Sequence, residues 1–247
     1  MTNKAGRKKV LLINAVVWPL NLQHDNALTS VFQWYYRWVA DIPELTLLSV
    51  SAEDIQLSGK SAEVDGVILS GSPRDAWSTD PVNSKLCELV LSLRDRGIPF
   101  LGVCYGHQIL GRALGETVMR HPNGWELGNT EVELTPAGQK SPLLAGLPVR
   151  FSVLSSHADI VSTLSDPCEL LIRGDFTVNQ GFHWKSQLFG VQFHPETDPE
   201  ILRFIWGPRR EKWRNKVSFN LDECLDSMKP TPLAGAILRN FITNIIP

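Results

Sequence analysis

The fold is decided by the stretch Pro99-Phe-Leu-Gly-Val-Cys-Tyr-Gly-His-Gln108. An apolar, strand-like run ends at Cys104, a glycine stands two residues away on each side, and a helix-like pattern follows over Gln108–Leu114. This Gly-x-nucleophile-x-Gly pattern is typical of an elbow, a strained turn that lifts a side chain above the edge of a sheet. A helix N-terminus aimed at the sulfur favours the thiolate. The stretch therefore predicts a nucleophilic Cys104, and the alternative is a structural cysteine buried between a strand and a helix.

Strand and helix patterns alternate on the N-terminal side of this elbow. Apolar runs predict strands, and apolar residues at helical spacing predict helices, the first of them with Asn26 or Thr29 as its N-cap and the second closed by Gly97. The predicted strands are Lys9–Asn14, Leu45–Val50 and Val64–Ser70, and the predicted helices are Asn26–Ala40 and Pro81–Arg96. Such alternation favours a parallel sheet with helices on both faces.

Short strand patterns separated by turn residues follow Gly115. They cover Thr117–Arg120, Thr130–Leu134, Val149–Leu154, Glu169–Arg173 and Gln187–Phe193. Helical patterns return over Pro199–Trp206 and Leu233–Ile246, and residues 207–231 between them are polar and predict a helical insertion. We expect a single α/β domain over residues 1–247, with a mostly parallel central sheet of flavodoxin-like type and a small antiparallel β portion.

Composition excludes several classes of function. The 24 basic and 26 acidic residues give a net charge of −2, and no basic tract is interleaved with aromatic residues, so a nucleic-acid partner is not indicated. The apolar run Val10–Ile13 is far too short to cross a bilayer, and no apolar core of signal-peptide type follows Met1–Lys9. We therefore expect a cytoplasmic protein with no membrane association.

Cysteine spacing argues against a metal centre or a disulfide framework. The four cysteines are widely scattered and form no Cys-x-x-Cys pair; they are Cys87, Cys104, Cys168 and Cys224. No paired histidine or acidic motif with metal-ligand spacing and no phosphate-binding loop is present either. The sequence predicts no metal and no cofactor.

A thiol nucleophile needs a base and a group that orients the base. The run Leu188-Phe-Gly-Val-Gln-Phe-His-Pro-Glu196 delivers His194 at the end of an apolar strand, where the site of an α/β protein is expected. Glu196 is close enough to hold the imidazole in one tautomer. His194 alone would be interpreted as a core or loop histidine, but the elbow upstream favours a base.

Acyl chemistry also needs backbone donors for an oxyanion. The strand pattern Val67–Ser70 ends in a glycine-rich turn, whose Gly71 or Ser72 N–H is one candidate donor. The N–H of Tyr105, directly after the nucleophile, is the other. By itself, the Ser-Gly-Ser-Pro turn is more typical of an ordinary β-turn, and it gains weight only together with the elbow and His-Pro-Glu.

Turn, elbow and His-Pro-Glu, in this order, resemble the class I glutamine amidotransferases of the Cys-His-Glu type. Gly102-Val-Cys-Tyr-Gly-His-Gln108 and Gly190-Val-Gln-Phe-His-Pro-Glu196 are similar to that family's two signature motifs. The resemblance runs from about Val10 to Glu196. It implies that Cys104 forms a thioester with the γ-carbonyl carbon of glutamine.

The resemblance also implies roles for the neighbouring residues. His194 would act as base and then as acid, Glu196 would orient it, and Gly71 and Tyr105 would hold the oxyanion. Gln108 would contact the bound glutamine. The stretch Ser156-His-Ala-Asp159 is similar to a segment near the site of these proteins, which makes His157 a candidate, although a turn with a capping aspartate explains it equally well.

The motifs indicate the family more clearly than they indicate which group within the family the chain resembles. The chain looks most like the amidotransferase portion of GMP synthase, but Ser72 stands where a second glycine is usual, and residues 207–231 are extra. Both departures resemble the stand-alone GMP-synthase-like group, which is similar to plant γ-glutamyl peptidases. We expect a glutaminase that delivers ammonia to a separate synthase, or a γ-glutamyl peptidase that acts on glutathione-like conjugates. The alternatives are a binding or regulatory module without activity and, last, a related elbow-cysteine protein, in which histidine rather than Tyr105 would follow the nucleophile.

Overall fold

Alternating side chains of one large sheet build the core of the protein. The computed structural model describes residues 7–18, 26–54 and 63–247. Its strands are β1 (Lys8–Asn14), β2 (Leu45–Ser51), β3 (Gly66–Leu69), β4 (Phe100–Val103), β5 (Val118–Arg120), β6 (Glu126–Leu134), β7 (Arg150–His157), β8 (Asp159–Val161), β9 (Cys168–Gly174), β10 (Gly181–Trp184) and β11 (Leu188–Val191). Its α-helices are α1 (Val31–Tyr36), α2 (Pro81–Asp95), α3 (Tyr105–Ala113), α4 (Pro199–Trp206), α5 (Arg210–Trp213), α6 (Leu221–Ser227) and α7 (Ala236–Asn240).

The large sheet has the strand order β2-β1-β3-β4-β11-β10-β9-β6-β7. The half from β2 to β11 is parallel, and the half from β11 to β7 is antiparallel. β5 and β8 form a separate antiparallel pair. The predicted α/β domain is therefore confirmed, and the structure adds that most of the antiparallel strands extend the same sheet.

Successive residues of β1 point to opposite faces, as the pleat of a strand requires. Val10 and Leu12 pack in a cluster with residues of α1 and α7, whereas Leu11 and Ile13 pack in a second cluster with residues of α2 and α3. Because both faces of β1 are covered by helices, its sequence is a continuous apolar run rather than an alternating one.

The start of α1 differs from the prediction. Ser30, not Asn26 or Thr29, is the N-cap, and its hydroxyl accepts the Gln33 N–H. Asn26 Oδ1 instead accepts the Leu28 N–H at 2.9 Å and closes a turn that precedes the helix. An asparagine that bonds its own backbone two residues on favours a turn over a helix, so α1 begins only after this turn.

The C-terminal quarter is largely helical. Residues 207–231 contain a short 3₁₀ turn followed by α5 and α6, which agrees with the helical pattern predicted there. The predicted last helix is α7, continued by a π-helical turn at Phe241–Ile245. Within the described residues, no helix is long and apolar enough to cross a membrane. Residues 1–6 of the predicted N-terminal stretch lie outside the described part.

Candidate active site

Cys104 lies in a strained turn between β4 and α3. Its backbone has φ +52° and ψ −102°, a conformation that costs a non-glycine residue about 1–3 kcal/mol and that packing must hold. The flanking glycines permit this turn, because a Cβ on Gly102 would overlap the carbonyl of Gly106, and one on Gly106 would overlap the carbonyl of Leu69. The predicted elbow is therefore present, with both glycines required by close approaches of backbone.

Parallel strands bring three sequence-distant segments to this point. β3, β4 and β11 are neighbours, and the chain leaves their carboxyl ends at Ser70, Cys104 and Gln192. Gly71 contacts both other segments: a Cβ built on it would lie 2.9 Å from His194 Cε1 and 3.6 Å from Cys104 Cβ. The sheet thus brings together residues that are 33 to 123 positions apart along the chain.

His194 is held between a carboxylate and the thiol. Its Nδ1 lies 2.8 Å from Glu196 Oε1, and its ring contacts Cys104. The main-chain oxygen of Glu196 accepts hydrogen bonds from Arg37 and Trp38, which fixes the segment. Burial alone would lower the pKa of His194, but the Glu196 carboxylate and the Cys104 sulfur together raise it well above its usual value. An imidazole held in this way by Glu196 is able to exchange a proton with the Cys104 sulfur.

The remaining thiols lack such an environment. Burial raises the pKa of Cys87 and of Cys168 to about 11, and it also raises that of Cys224. A thiol that is held neutral is a poor nucleophile. These three cysteines form no disulfide, and a partly buried thiol of this kind is typical of a structural position.

The candidate oxyanion donors flank the sulfur. Tyr105 is the first residue of α3, so its N–H has no acceptor within the helix. The Gly71 N–H faces the phenol of Tyr35, a residue that the sequence patterns did not single out. The Tyr35 hydroxyl is buried and forms no regular hydrogen bond among the described residues. Burial, reinforced by the nearby Glu196 and Cys104, raises its pKa well above 10.0.

A polar cavity opens on one side of Cys104. Ser72, Gln108 and His157, all candidates from the sequence, contribute to its lining. The Gln108 side chain is oriented by a 2.7 Å hydrogen bond from Nε2 to the carbonyl of Asp159. The alternative of a turn with a capping aspartate is wrong, because His157 ends β7 and Asp159 begins β8.

His157 is a buried member of this wall. Its Nε2 lies 3.0 Å from Glu126 Oε2 and 3.1 Å from Thr177 Oγ1. Burial lowers the pKa of His157, against the opposing effect of the Glu126 carboxylate. A largely neutral imidazole held in this way is suited to shaping the cavity and to hydrogen bonding rather than to carrying charge.

Asp159 and two charged residues that the sequence analysis missed, Asp75 and Arg120, complete the polar cavity. The Arg120 guanidinium lies 3.2 Å from Asp75 Oδ1 and 3.1 Å from Asp159 Oδ1. Trp77 Nε1 donates to the other oxygen of Asp159 at 3.1 Å. Burial and the neighbouring Asp75 raise the pKa of Asp159 to about 6, against the opposing effect of Arg120. No local motif connects these residues, because the pairing of β5 with β8 brings Arg120 to Asp159, and the segment after β3 adds Asp75 and Trp77.

An apolar cavity also opens beside Cys104, which lines both cavities. Its lining includes the aromatic residues Trp18, Trp34 and Phe204 and the basic residue Arg209. Among the described residues, no group of three or more histidine, cysteine or acidic side chains is arranged to hold a metal ion.

Comparison with known proteins identifies the family. Residues 26–202 match the family model for glutamine amidotransferase class-I, and the chain belongs to this family. It is 40% identical over 131 residues to a GMP synthase [glutamine-hydrolyzing] of Aeropyrum pernix, a match that covers 53% of this chain and 24% of that protein. It is 34% identical over 140 residues to gamma-glutamyl peptidase 5 of Arabidopsis thaliana, with 56% of each chain covered.

Solved structures support the fold independently. A glutamine amidotransferase from Thermotoga maritima superposes with a TM-score of 0.76 at 21% identity, over 97% of this chain and 98% of that one. The curated relatives named above are matched over only 24% and 56% of their own length. Membership of the family and the fold are therefore established, whereas substrate and partner are questions for the site.

Proposed function

We propose that this protein hydrolyses a γ-glutamyl amide through a thioester at Cys104, with His194 as the proton carrier and Glu196 as its orienting carboxylate. The observation that carries the proposal is the Cys104 elbow at φ +52°, in contact with an imidazole whose Nδ1 lies 2.8 Å from a buried carboxylate. A strained nucleophile beside an oriented base is typical of covalent acyl transfer.

The first half-reaction forms the thioester. His194 takes the Cys104 proton, and the sulfur attacks the γ-carbonyl carbon. The N–H of Tyr105 and a second N–H, from Gly71 or Ser72, would stabilise the negative charge that develops on the oxygen. The tetrahedral intermediate then collapses: the C–N bond breaks, and the leaving nitrogen takes the proton from His194.

The second half-reaction releases glutamate. His194, neutral again, takes a proton from a water molecule as the water oxygen attacks the thioester carbon. The C–S bond breaks, and the sulfur recovers its proton from the imidazolium. The raised pKa of His194 suits both directions of transfer, because the imidazole accepts a proton readily and Glu196 stabilises the cation.

The polar cavity fits the amino-acid end of the substrate. A γ-glutamyl group carries an α-carboxylate, which suits Arg120, and an α-ammonium group, which suits Asp75 and Asp159. Gln108, His157 and Ser72 line the same space and supply hydrogen-bonding groups. Opposite charges held next to one another match a zwitterionic head better than a simple anion or cation.

Labelling with a diazoketone analogue of glutamine, combined with turnover, tests this function. We expect one label per chain by mass spectrometry, located on Cys104 and absent from Cys104→Ala protein. Cys87→Ala, which removes a buried thiol outside the site, is the matched control and should retain labelling. Glutamate release from glutamine or γ-glutamyl dipeptides that is equal in wild-type and Cys104→Ala proteins would overturn the proposal, and an unlabelled Cys104 without turnover would favour a binding module.

The fate of the released nitrogen separates two forms of this activity. With glutamine as substrate, ammonia would pass to a separate synthase, a proposal supported by the similarity to a GMP synthase over 24% of its length. With a γ-glutamyl peptide as substrate, the amine portion would leave into solution, as the similarity to a gamma-glutamyl peptidase suggests. A cytoplasmic location, with no nucleic-acid or membrane partner, remains part of the proposal.

A further inference from the structure

The apolar cavity beside Cys104 is much larger than a molecule of ammonia requires. Its volume is about 240 Å³, and it begins at the sulfur, at Gly71 and at His194. A molecule the size of water or ammonia needs only about 15 Å³ of cavity. If the polar cavity holds the glutamyl head, this second cavity lies where the amine portion of a substrate would lie.

Aromatic and aliphatic side chains contribute much of the lining of this cavity. Trp18 lies edge-on to Trp34, with ring centroids 5.9 Å apart, and to Phe204, with centroids 6.0 Å apart. Both indole N–H groups are engaged elsewhere, that of Trp18 with the carbonyl of Thr29 and that of Trp34 with the carbonyl of Ala27. The rings therefore present apolar surface, which favours a large apolar group as the occupant.

Arg209 supplies the cavity with a cation that has no partner among the described residues. Its side chain lines the cavity and is half-buried, and no hydrogen bond or ion pair joins it to any residue that the structure describes. The adjacent Arg210, by contrast, lies 2.8 Å from Asp222 and 3.0 Å from Asp226. Burial lowers the pKa of Arg209, a sign of the cost of removing its charge from water. A carboxylate on the ligand would offset that cost with a charge-assisted hydrogen bond.

We propose that the amine portion of the substrate is an amino acid with a large apolar side chain, so that the enzyme cleaves γ-glutamyl peptides of this kind in preference to glutamine. The proposal rests on the thioester function above. The apolar side chain packs among Trp18, Trp34 and Phe204, and the carboxylate of the same amino acid pairs with Arg209. The scissile C–N bond joins the γ-carbonyl to the α-nitrogen of this residue, and the reaction consumes one water and releases glutamate and the free amino acid.

Four substrates that form the same thioester test the proposal: glutamine, γ-Glu-Gly, γ-Glu-Phe and γ-glutamyl-2-phenylethylamide, which has the aromatic ring but no carboxylate. Glutamate release gives kcat/KM for each. Burial of a benzyl group, worth about 1.5–3 kcal/mol, should raise kcat/KM for γ-Glu-Phe over γ-Glu-Gly by about 10- to 150-fold. γ-Glu-Phe should also exceed the phenylethylamide by about 10-fold, a modest value for one charge-assisted hydrogen bond.

Arginine variants isolate the charge. In Arg209→Gln protein, the preference for γ-Glu-Phe over the phenylethylamide should fall to about one. Arg210→Gln, which alters the neighbouring arginine outside the cavity, should keep the wild-type preference. If Arg209→Gln does not fold, calorimetric titration of Cys104→Ala protein with γ-Glu-Phe and with the phenylethylamide measures the same preference directly.

The outcomes distinguish this peptide proposal from the thioester function on which it rests. Hydrolysis that depends on Cys104 but ranks glutamine or γ-Glu-Gly level with γ-Glu-Phe would overturn the peptide proposal and leave the thioester function intact. A preference for γ-Glu-Phe over the phenylethylamide that is unchanged in Arg209→Gln protein would overturn the role of Arg209. If none of the four substrates is hydrolysed in a reaction that depends on Cys104, both proposals are overturned.

Discussion

Replacing His107 by leucine should make the protein more resistant to acid. His107 lies on α3, three residues after the nucleophile, and its ring is fully buried against Gly190 and Phe182. Neither ring nitrogen has a regular hydrogen-bond partner among the described residues. Burial therefore lowers the pKa of His107 from 6.5 to about 3.

The sign and size of the effect follow from proton linkage. Between pH 6.5 and pH 3 the unfolded chain binds a proton at His107 and the folded chain does not, so stability falls as the pH falls through this window. Each pH unit below 6.5 costs about 1.4 kcal/mol, which gives about 3 kcal/mol at pH 4.5. A leucine of similar volume carries no proton and should change stability at pH 7 by less than about 1.5 kcal/mol.

Urea unfolding at pH 7 and pH 4.5, followed by tryptophan fluorescence, measures the difference. The free energy of unfolding of His107→Leu protein relative to wild type should rise by about 3 kcal/mol between the two pH values. Ile109→Val, a buried substitution on the same helix without a titratable group, should show the same small loss at both. If the free energies of unfolding of His107→Leu and wild-type proteins differ by the same amount at pH 7 and pH 4.5, the imidazole is protonated in the folded state as readily as in the unfolded chain.

Three further substitutions test the site. Glu196→Gln removes the carboxylate that raises the pKa of His194, and glutamate release should fall by about 10³- to 10⁴-fold; a loss under tenfold would contradict its role. Gly71→Ala places a Cβ 2.9 Å from His194 Cε1, so turnover should fall by about 10²-fold with little change in the thermal unfolding midpoint, and full activity would show that the turn is uninvolved. Tyr35→Phe removes a buried hydroxyl without a regular partner, so the free energy of unfolding should rise by about 1 kcal/mol, whereas a loss in urea titration would reveal a bond to Glu196 or Gly71.

Local chemistry made the elbow predictable. The spacing of Gly102 and Gly106 around Cys104 reports a tight turn, and the structure places Gly102 against the backbone of Gly106 within that turn and Gly106 against Leu69 of β3. The apolar runs of β1 and β4 likewise follow from burial on both faces. These features were predictable because each depends on a short stretch of chain.

Features that depend on long-range placement were not predictable. Arg120 and Asp159 meet because β5 pairs with β8, and neither of these three-residue strands has a strong pattern of its own. Arg209 follows α4 in a mixed-charge stretch, and its sequence does not reveal that it lines a cavity while Arg210 forms ion pairs. The start of α1 was misplaced because Asn26 bonds to the turn rather than to the helix.

Cys104 lines two unlike cavities, and under the proposed function each cavity would select a different part of the substrate, the γ-glutamyl group or the amine. The polar cavity is built by the segment after β3 together with β5, β7 and β8, whereas the apolar one is built by residues 16–18, α1, α4 and the segment after α4. The residues common to both walls are few: Ser72, Pro73, Cys104, Trp125 and Ser156. Under the proposed function, recognition of the γ-glutamyl group and recognition of the amine could change independently, since Val31, Trp34 and Arg209 line the apolar cavity alone. This division would place the choice of leaving group in the aromatic side chains and Arg209, and formation of the thioester in the Cys104 elbow.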